Sequence, residues 1–371
     1  MEDIFVAATG QDRGKTSFSV GFLALLQEKI GNVGFMKPVG NRYVKTGDGV
    51  RIDEDVQLVD SIYNFEDNLK DVSPVILDSV FVRHCIDANC REELEEQILV
   101  AAERVRQGRN MIVVEGSGKT SVGEVVNLSN ARVAELLNSK VIILAEGGIG
   151  NTVDNVMLNY NFLQQFDVDV LGVVINKVFK KKMDQVSEKT GKALRQRGLN
   201  VLGVLPYEKM LTYPSLAHIR EEFPQYEPLT NVEKTVRMRS ISKIVIGAMT
   251  PREALKYLEG NELLITGGDR EDMMVSALCR TAIHLQSGRG GSVSGIIATG
   301  GLTPHESIIE TAENLGILVL GAEEDTYTVA SRIKDMTVKL RPNDEKKIEK
   351  TKEIIKEYID FDKIMEGLDG I

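Results

Sequence analysis

The chain has no tryptophan, and aromatic residues make up only 5% of its 371 positions. Proteins that hold single-stranded nucleic acid stack its bases on aromatic side chains, so this shortage counts against such a partner. Charge counts against it too: 45 Lys and Arg against 55 Asp and Glu leave a formal charge of −10, the wrong sign for a phosphate backbone. The one basic run, Lys180-Lys181-Lys182, fits a solvated helix start. Cysteine is scarce as well. Cys85, Cys90 and Cys279 are an odd set without metal-type spacing, even with His84 nearby, and read as reduced thiols. No apolar run reaches the length of a bilayer span, and no basic-then-apolar leader opens the chain. The expectation is a cytoplasmic protein with neither nucleic acid nor membrane as partner, long enough for two or three domains.

What is present begins with an apolar strand at 4–8 that runs into Gly10-Gln11-Asp12-Arg13-Gly14-Lys15-Thr16-Ser17 and then into a helical stretch at 18–26. Glycines let the backbone curl so that successive N–H groups and a helix N-terminus face an anion; Lys15 then reaches the outer phosphates and the Thr16 hydroxyl can ligate Mg²⁺. Gly10, Gly14, Lys15, Thr16 and Ser17 are accordingly the expected nucleotide contacts. Thr9 stands where the usual loop has its first glycine, so this loop is one residue tight.

Strand-like runs at 4–8, 33–39, 111–114, 141–145, 168–175 and 201–205 alternate with helical patterns, among them 91–107, where Leu94, Ile98, Leu99, Ala102 and Val105 fall on one face. This is the pattern of an α/β fold with a parallel sheet wrapped by helices. In such sheets ligands sit beyond the carboxyl ends of the strands, so the tips at Lys37-Pro38, Glu115-Gly116, Glu146-Gly147 and Asn176-Lys177 should converge on the phosphate loop. Glu115 and Asp55 are the candidate magnesium carboxylates beside Thr16. Asp55 has a second reading as the cap of the helix starting near Val56. Lys37 either holds an anionic substrate against the γ-phosphate or snorkels to solvent. Gly116-Ser117-Gly118-Lys119-Thr120 also ends in Gly-Lys-Thr, but Val113 stands at its first-glycine position; it reads as an acidic strand tip with a small-residue loop.

The phosphate loop, Lys37-Pro38-Val39, Asp55, Glu115-Gly116-Ser117-Gly118, Val173-Val174-Ile175-Asn176 and Leu202-Gly203-Val204-Leu205-Pro206 together resemble, in this order over residues 1–210, the dethiobiotin synthetase-like P-loop family. The resemblance implies ATP and Mg²⁺ as cofactors, metal ligation by Thr16, Asp55 and Glu115, a substrate carbamate or carboxylate on Lys37, and adenine recognition by Asn176. Lys15 and Lys37 are then the catalytic candidates.

Four of the nine prolines, Pro206, Pro214, Pro224 and Pro228, crowd together with Glu221, Glu222 and Glu227, which predicts a connecting segment at 208–230. Alternation resumes beyond it, with strands at 244–248, 263–266, 295–298 and 317–320. Two of them end alike, in Gly267-Gly268 and Gly300-Gly301, each before a helical pattern; Thr303 and Pro304 supply the N-cap and first turn of the second. The glycine pairs either offer N–H groups to an anion or relieve a tight turn. Thr266-Gly267-Gly268-Asp269-Arg270, Ala298-Thr299-Gly300-Gly301 and Asp325-Thr326-Tyr327-Thr328 resemble a DRTGG domain, placed at 211–340 as a smaller second α/β domain. Such a domain follows a dethiobiotin synthetase-like region in long phosphotransacetylases, so the chain resembles their regulatory N-terminal portion without the acyltransferase domain. Residues 341–371 form a C-terminal amphipathic helix, with Ile348, Ile355 and Ile359 on one stripe, for its own domain or for a partner.

Two functions follow as expectations. One is a nucleotide-responsive regulatory protein, with ATP at the phosphate loop and a second ligand at Gly267-Gly268, read by a partner enzyme; a homodimer fits the resemblance. The other is an ATP-dependent ligase that activates a small carboxylate or carbamate held by Lys37.

Overall fold

The structure, a computed structural model, describes residues 2–232, 241–287, 293–336 and 338–369. It divides into two compact units, residues 1–208 with 340–371, and 209–339. In the first, β1 (Ile4–Ala8), β2 (Val33–Met36), β3 (Met111–Glu115), β4 (Lys140–Glu146), β5 (Val170–Val178) and β6 (Val201–Pro206) form a six-stranded parallel sheet. The strand order is β6-β5-β4-β1-β3-β2. β1, β2 and β3 are buried at every residue, as strands covered on both faces must be, and their near-continuous apolar sequences follow from that. The order reverses around β1, which has β3 on one side and β4 on the other. That reversal opens a crevice at the carboxyl ends, where the phosphate loop leaves β1.

Helices of this unit include α1 (Lys15–Ile30), α2 (Glu54–Tyr63), α3 (Arg91–Arg106), α4 (Gly150–Leu163) and α5 (Met183–Arg195). On α3 the buried stripe is Leu94, Ile98, Ala101, Ala102 and Val105, while Leu99 is exposed. Leu99 sits one step of 100° past Ile98, at the margin of the apolar face, so the expectation that placed it inward is corrected.

The second unit has α6 (Leu216–Glu222) and α7 (Glu271–Gln286), with α8 (Glu306–Asn314) and α9 (Thr326–Asp335). Its sheet runs β7-β11-β10-β9-β8, from β7 (Glu227–Pro228), β8 (Lys243–Ile246), β9 (Glu262–Gly267), β10 (Gly295–Thr299) and β11 (Leu318–Gly321). All pairs are parallel except the short edge strand β7. Side chains alternate between two cores: Leu263, Ile265, Ile297 and Leu320 pack with one cluster, Leu264, Ile296 and Val319 with the other. Leu216, Ile219 and Tyr226 belong to the first of these clusters. The proline-rich stretch is therefore folded, contributing α6 and β7 instead of a connecting segment. Prolines are compatible with this because they fall outside α6 or on an edge strand. The N-cap of α8 is His305, whose Nδ1 accepts from Ser307 N, and not Thr303; the helix starts two residues later than the Thr-Pro pair suggested.

The tail returns to the first unit as α10 (Glu345–Tyr358) and α11 (Phe361–Asp369). Ile348, Ile355 and Ile359 are buried as the stripe predicts, and Ile354 with them. α10 lies along α1 where Gly21 lets it approach: a Cβ there would stand 2.4 Å from Ile355 Cγ1. Beyond α10, Ile359 bridges to Gly203 and Asp360 N donates to Leu202 O, so the chain covers the open edge at β6.

Candidate functional site

β1 ends at Ala8, and Thr9 N still donates to Leu144 O of β4 before the loop curls away. Gly14 turns it into α1 with φ +87°, and no side chain caps the helix. The first amides of a helix have no acceptor within it, so those of Lys15, Thr16 and Ser17 remain available to an anion at the positive end of the helix dipole. The Asn176 amide braces the loop from β5: Nδ2 donates to Arg13 O at 2.8 Å, and Oδ1 accepts from Lys177 N. A Cβ on Gly14 would lie 2.6 Å from that Nδ2, so glycine is required twice, for its φ and for this approach. Lys177 Nζ holds Asp12 O, and Arg13 pairs with Glu146 at the tip of β4.

Opposite the loop, β3 ends in Glu115, which is fully buried. Its Oε1 accepts from the Thr16 hydroxyl at 3.1 Å. Its Oε2 meets no partner in hydrogen-bond geometry; the Ser19 hydroxyl is near enough only to favour the charged form. Lys37, 5% exposed just past β2, sends its ammonium among three carboxylates: 2.8 Å from Asp53 Oδ1, 3.6 Å from Glu115 Oε1, and in a short contact with Asp55 Oδ2. Burial works against the charge of Lys37, yet Asp55, Glu115 and Asp53 outweigh it and hold the ammonium above the ordinary lysine range. Burial likewise pushes Glu115 and Asp53 up, against the pull of Lys37. The causes differ: burial favours the neutral form of the two acids, with the negative charge of Asp55 adding to it, whereas Lys37 is held charged by the acids around it, against burial. Lys15 is shifted down, chiefly by burial, with Glu115 opposing. Its Nζ rests on Gly118 O at 2.8 Å.

The small-residue loop after Glu115 is pinned by Asn130, which bonds Ser117 N, Ser117 O and Lys119 O, and by Thr120 on Asn159. Lys119 is exposed. Its Gly-Lys-Thr is thus a wall of the site that supplies Lys15 with a carbonyl, in keeping with its reading as a strand-tip loop.

These elements agree with the comparisons. Residues 2–215 match the model of AAA_26, an AAA domain. The chain belongs to the AAA_26 family. Residues 230–336 match the DRTGG domain, so the resemblance to a P-loop region joined to a DRTGG domain is borne out. Phosphate acetyltransferase of Pseudomonas aeruginosa is 23% identical over 98% of this chain and 51% of its own length. The ATP-dependent dethiobiotin synthetase of Methanococcus vannielii is 26% identical over 56% of this chain and 94% of its own. This chain spans about half the length of the phosphate acetyltransferases it matches. Among solved structures, cobyrinic acid a,c-diamide synthase of Mycobacterium smegmatis, with ADP and magnesium, covers 56% of this chain and 88% of its own, at 14% identity and a TM-score of 0.36.

Within the AAA_26 domain the structure brings Gly10, Gly14, Lys15, Thr16, Ser17, Lys37, Asp55, Glu115 and Asn176 to one crevice. It also decides two alternatives that the sequence left open. The cap of α2 is Asp53, whose Oδ1 accepts from Asp55 N, so Asp55 is not the capping residue. Lys37 is drawn inward by the acids instead of snorkelling to solvent. Asn176, the expected adenine contact, also braces the phosphate loop through its amide. Sequence reasoning passed over Asp53; the signal was its place two residues before Asp55, where a capping turn aims both carboxylates the same way.

The pair Gly267 and Gly268 lies elsewhere, in the DRTGG domain. Gly268 N donates to Thr299 O, and Gly300 and Gly301 donate to Glu324 O and Ala322 O. A Cβ on Gly268 would lie 1.7 Å from Leu302 O. Asp325 is occupied in capping α9, and Arg270 in holding Gly247 O, Met249 O and Asp272. Of the two readings of these glycines, the steric one accounts for what is seen, since the amides of Gly268, Gly300 and Gly301 are committed within the fold.

The donors around Glu115 are hard oxygens, which suit Mg²⁺. Among the described residues no three Asp, Glu, His or Cys side chains are arranged as a metal cage. A magnesium ion would therefore draw on the Thr16 hydroxyl, Asp55 and Glu115, with phosphate oxygens and water completing its shell. The buried, unpartnered Oε2 of Glu115 fits such an ion, because a carboxylate oxygen left without donor or cation costs several kcal/mol. Among the described residues no helix is long and apolar enough to cross a membrane.

Proposed function

We propose that this chain binds Mg·ATP at the phosphate loop and acts as a nucleotide-responsive regulatory protein of the phosphotransacetylase N-terminal type, read by a partner enzyme or by a second copy. The observation that carries the reading is the uncapped N-terminus of α1 with Lys15 and Thr16 set against the buried Glu115. Lys15 takes the outer phosphates, Thr16 and Glu115 hold the metal with Asp55, and the amides of the loop take the inner phosphates. A sensing role is favoured over synthesis by the DRTGG domain that accompanies the phosphate-loop domain in this chain.

A second reading, an ATP-dependent ligase acting on a small carboxylate or carbamate, draws support from the name of the Methanococcus vannielii relative and from Lys37 lying beside the metal acids. Calorimetric titration of ATP with Mg²⁺ into the full chain and into Lys15→Ala tests the common core. Binding by the first and not the second supports it; equal binding by both overturns it. Nucleotide turnover stimulated by a small acid and lost in Lys37→Ala would turn the conclusion to the ligase.

A further inference from the structure

The acids that draw Lys37 inward include Glu115, which also meets Thr16 of the phosphate loop. A lysine at the end of an apolar strand can reach water, yet this one turns inward, donates to Asp55, and pairs with Asp53 at 2.8 Å and with Glu115 at 3.6 Å. The oxygen it approaches on Glu115 is Oε1, which also accepts from Thr16. These are the atoms a divalent cation would take between the phosphate loop and the tip of β3. Mg²⁺ needs its oxygens at about 2.1 Å in an octahedron, and an ammonium cannot keep those same oxygens while the ion holds them. Two cations that close in a water-poor crevice also repel strongly.

We infer that Lys37 is a tethered counter-cation that occupies the carboxylate cluster until a divalent cation displaces it, so that metal ligation and the Lys37 ion pairs exclude one another. The inference rests on the cation site of the proposed function and adds an exchange to it. Its consequences are twofold. Without nucleotide, metal binds weakly, because it must evict a well-held ammonium. Once evicted, the ammonium is released next to the Lys15 end of the loop, where an anionic oxygen, of a phosphate or of a carboxylate, is its natural partner. Lys37 then ties metal loading to the anion the site receives.

The test uses Mn²⁺ alone, followed by the loss of its free-ion electron paramagnetic resonance signal, with the nucleotide-free full chain. Lys37→Met should bind Mn²⁺ at least about tenfold more tightly than the unaltered chain, since the competitor is gone. Its melting temperature should also rise more with Mn²⁺ than that of the unaltered chain, because the ion replaces the missing charge. Equal Mn²⁺ affinity in the two proteins overturns the inference and would mean that the ion enters through Glu115 Oε2 with Lys37 in place. If Lys37→Met does not fold even with Mn²⁺, the unaltered chain decides: acetylation of Lys37 by acetic anhydride, read by mass spectrometry, should accelerate several-fold in saturating Mn²⁺. An unchanged rate overturns the inference. Nucleotide titration into the same proteins separates the two claims. ATP binding without a Mn²⁺ gain sinks the exchange alone, and a Mn²⁺ gain without ATP binding sinks the nucleotide reading alone.

Discussion

The two units solve the same local problem, a glycine-bearing turn from a parallel strand into a helix, in opposite ways. In the AAA_26 domain the turn after β1 stays open. Gly14 aims the uncapped start of α1 outward, and the neighbouring strand tips supply buried ions, Lys37 and Glu115. In the DRTGG domain the turn after β9 is closed. Gly268 gives its N–H to Thr299 O, its missing Cβ makes room for Leu302 O, and the buried Thr299 hydroxyl is bonded to that of half-buried Thr326 at 2.7 Å. Glycine permits both outcomes. What decides between them is whether a carbonyl from the next strand tip stands within reach of the turn's amides.

That contrast can be broken, beginning with the largest effect. Gly268→Ala forces a Cβ into a backbone oxygen and should destabilise the DRTGG domain by about 3 kcal/mol or more, with ATP affinity unchanged. Hydrogen exchange of β9 and β10 measures it, and undiminished protection there would refute a packing role for this glycine. Lys15→Ala removes a charge-assisted contact from the open turn and should weaken Mg·ATP by about 100-fold, or ~2.7 kcal/mol, without loosening either sheet. Calorimetry and thermal melting together check that split.

Gly21→Val sharpens the comparison, because Gly21 is a packing glycine inside the nucleotide domain. Its side chain would collide with Ile355 and Thr351 O, costing about 1–3 kcal/mol and freeing α10. Proteolysis of the tail reads this directly, and an unaltered digestion rate would argue that α10 docks elsewhere. The smallest effect distinguishes the thiols. Cys85 in the first unit is buried, which pushes its thiol up to about 12, with help from Cys90; Cys279 in the second is exposed. The thiolate is the nucleophile, and burial keeps Cys85 in its thiol form. Iodoacetamide should therefore label Cys279 well before Cys85, and raising the pH to 9 should leave that order intact. Equal rates would contradict the burial of Cys85.

Much of the site was legible because its chemistry is local. A phosphate loop must place glycines, lysine and a hydroxyl residue consecutively, and Glu115 stood out as a charge closing an apolar strand. Asp53 and Leu99 were harder. Asp53 looked like one of several acids before a helix, and its role depends on Lys37 arriving from another strand. Leu99 lies at the margin of its helical face, where only the packed neighbours say which side is covered. The proline-rich stretch misled because proline reports where a ladder cannot continue, not whether the residues between prolines find a core. Leu216, Ile219 and Tyr226 found one.

By itself the sequence determined the two α/β units, the order of their strands along the chain, and the phosphate loop, since alternation of apolar runs and the spacing of loop residues are properties of neighbours along the chain. Tertiary structure alone decided that Lys37 lies among Asp53, Asp55 and Glu115, that the amide of Gly268 is closed off, and that the tail packs on α1. Each of these depends on distances between residues far apart in the chain. A few ångströms there settle whether a charge meets a partner, an amide meets a carbonyl, or a missing side chain leaves room for a helix.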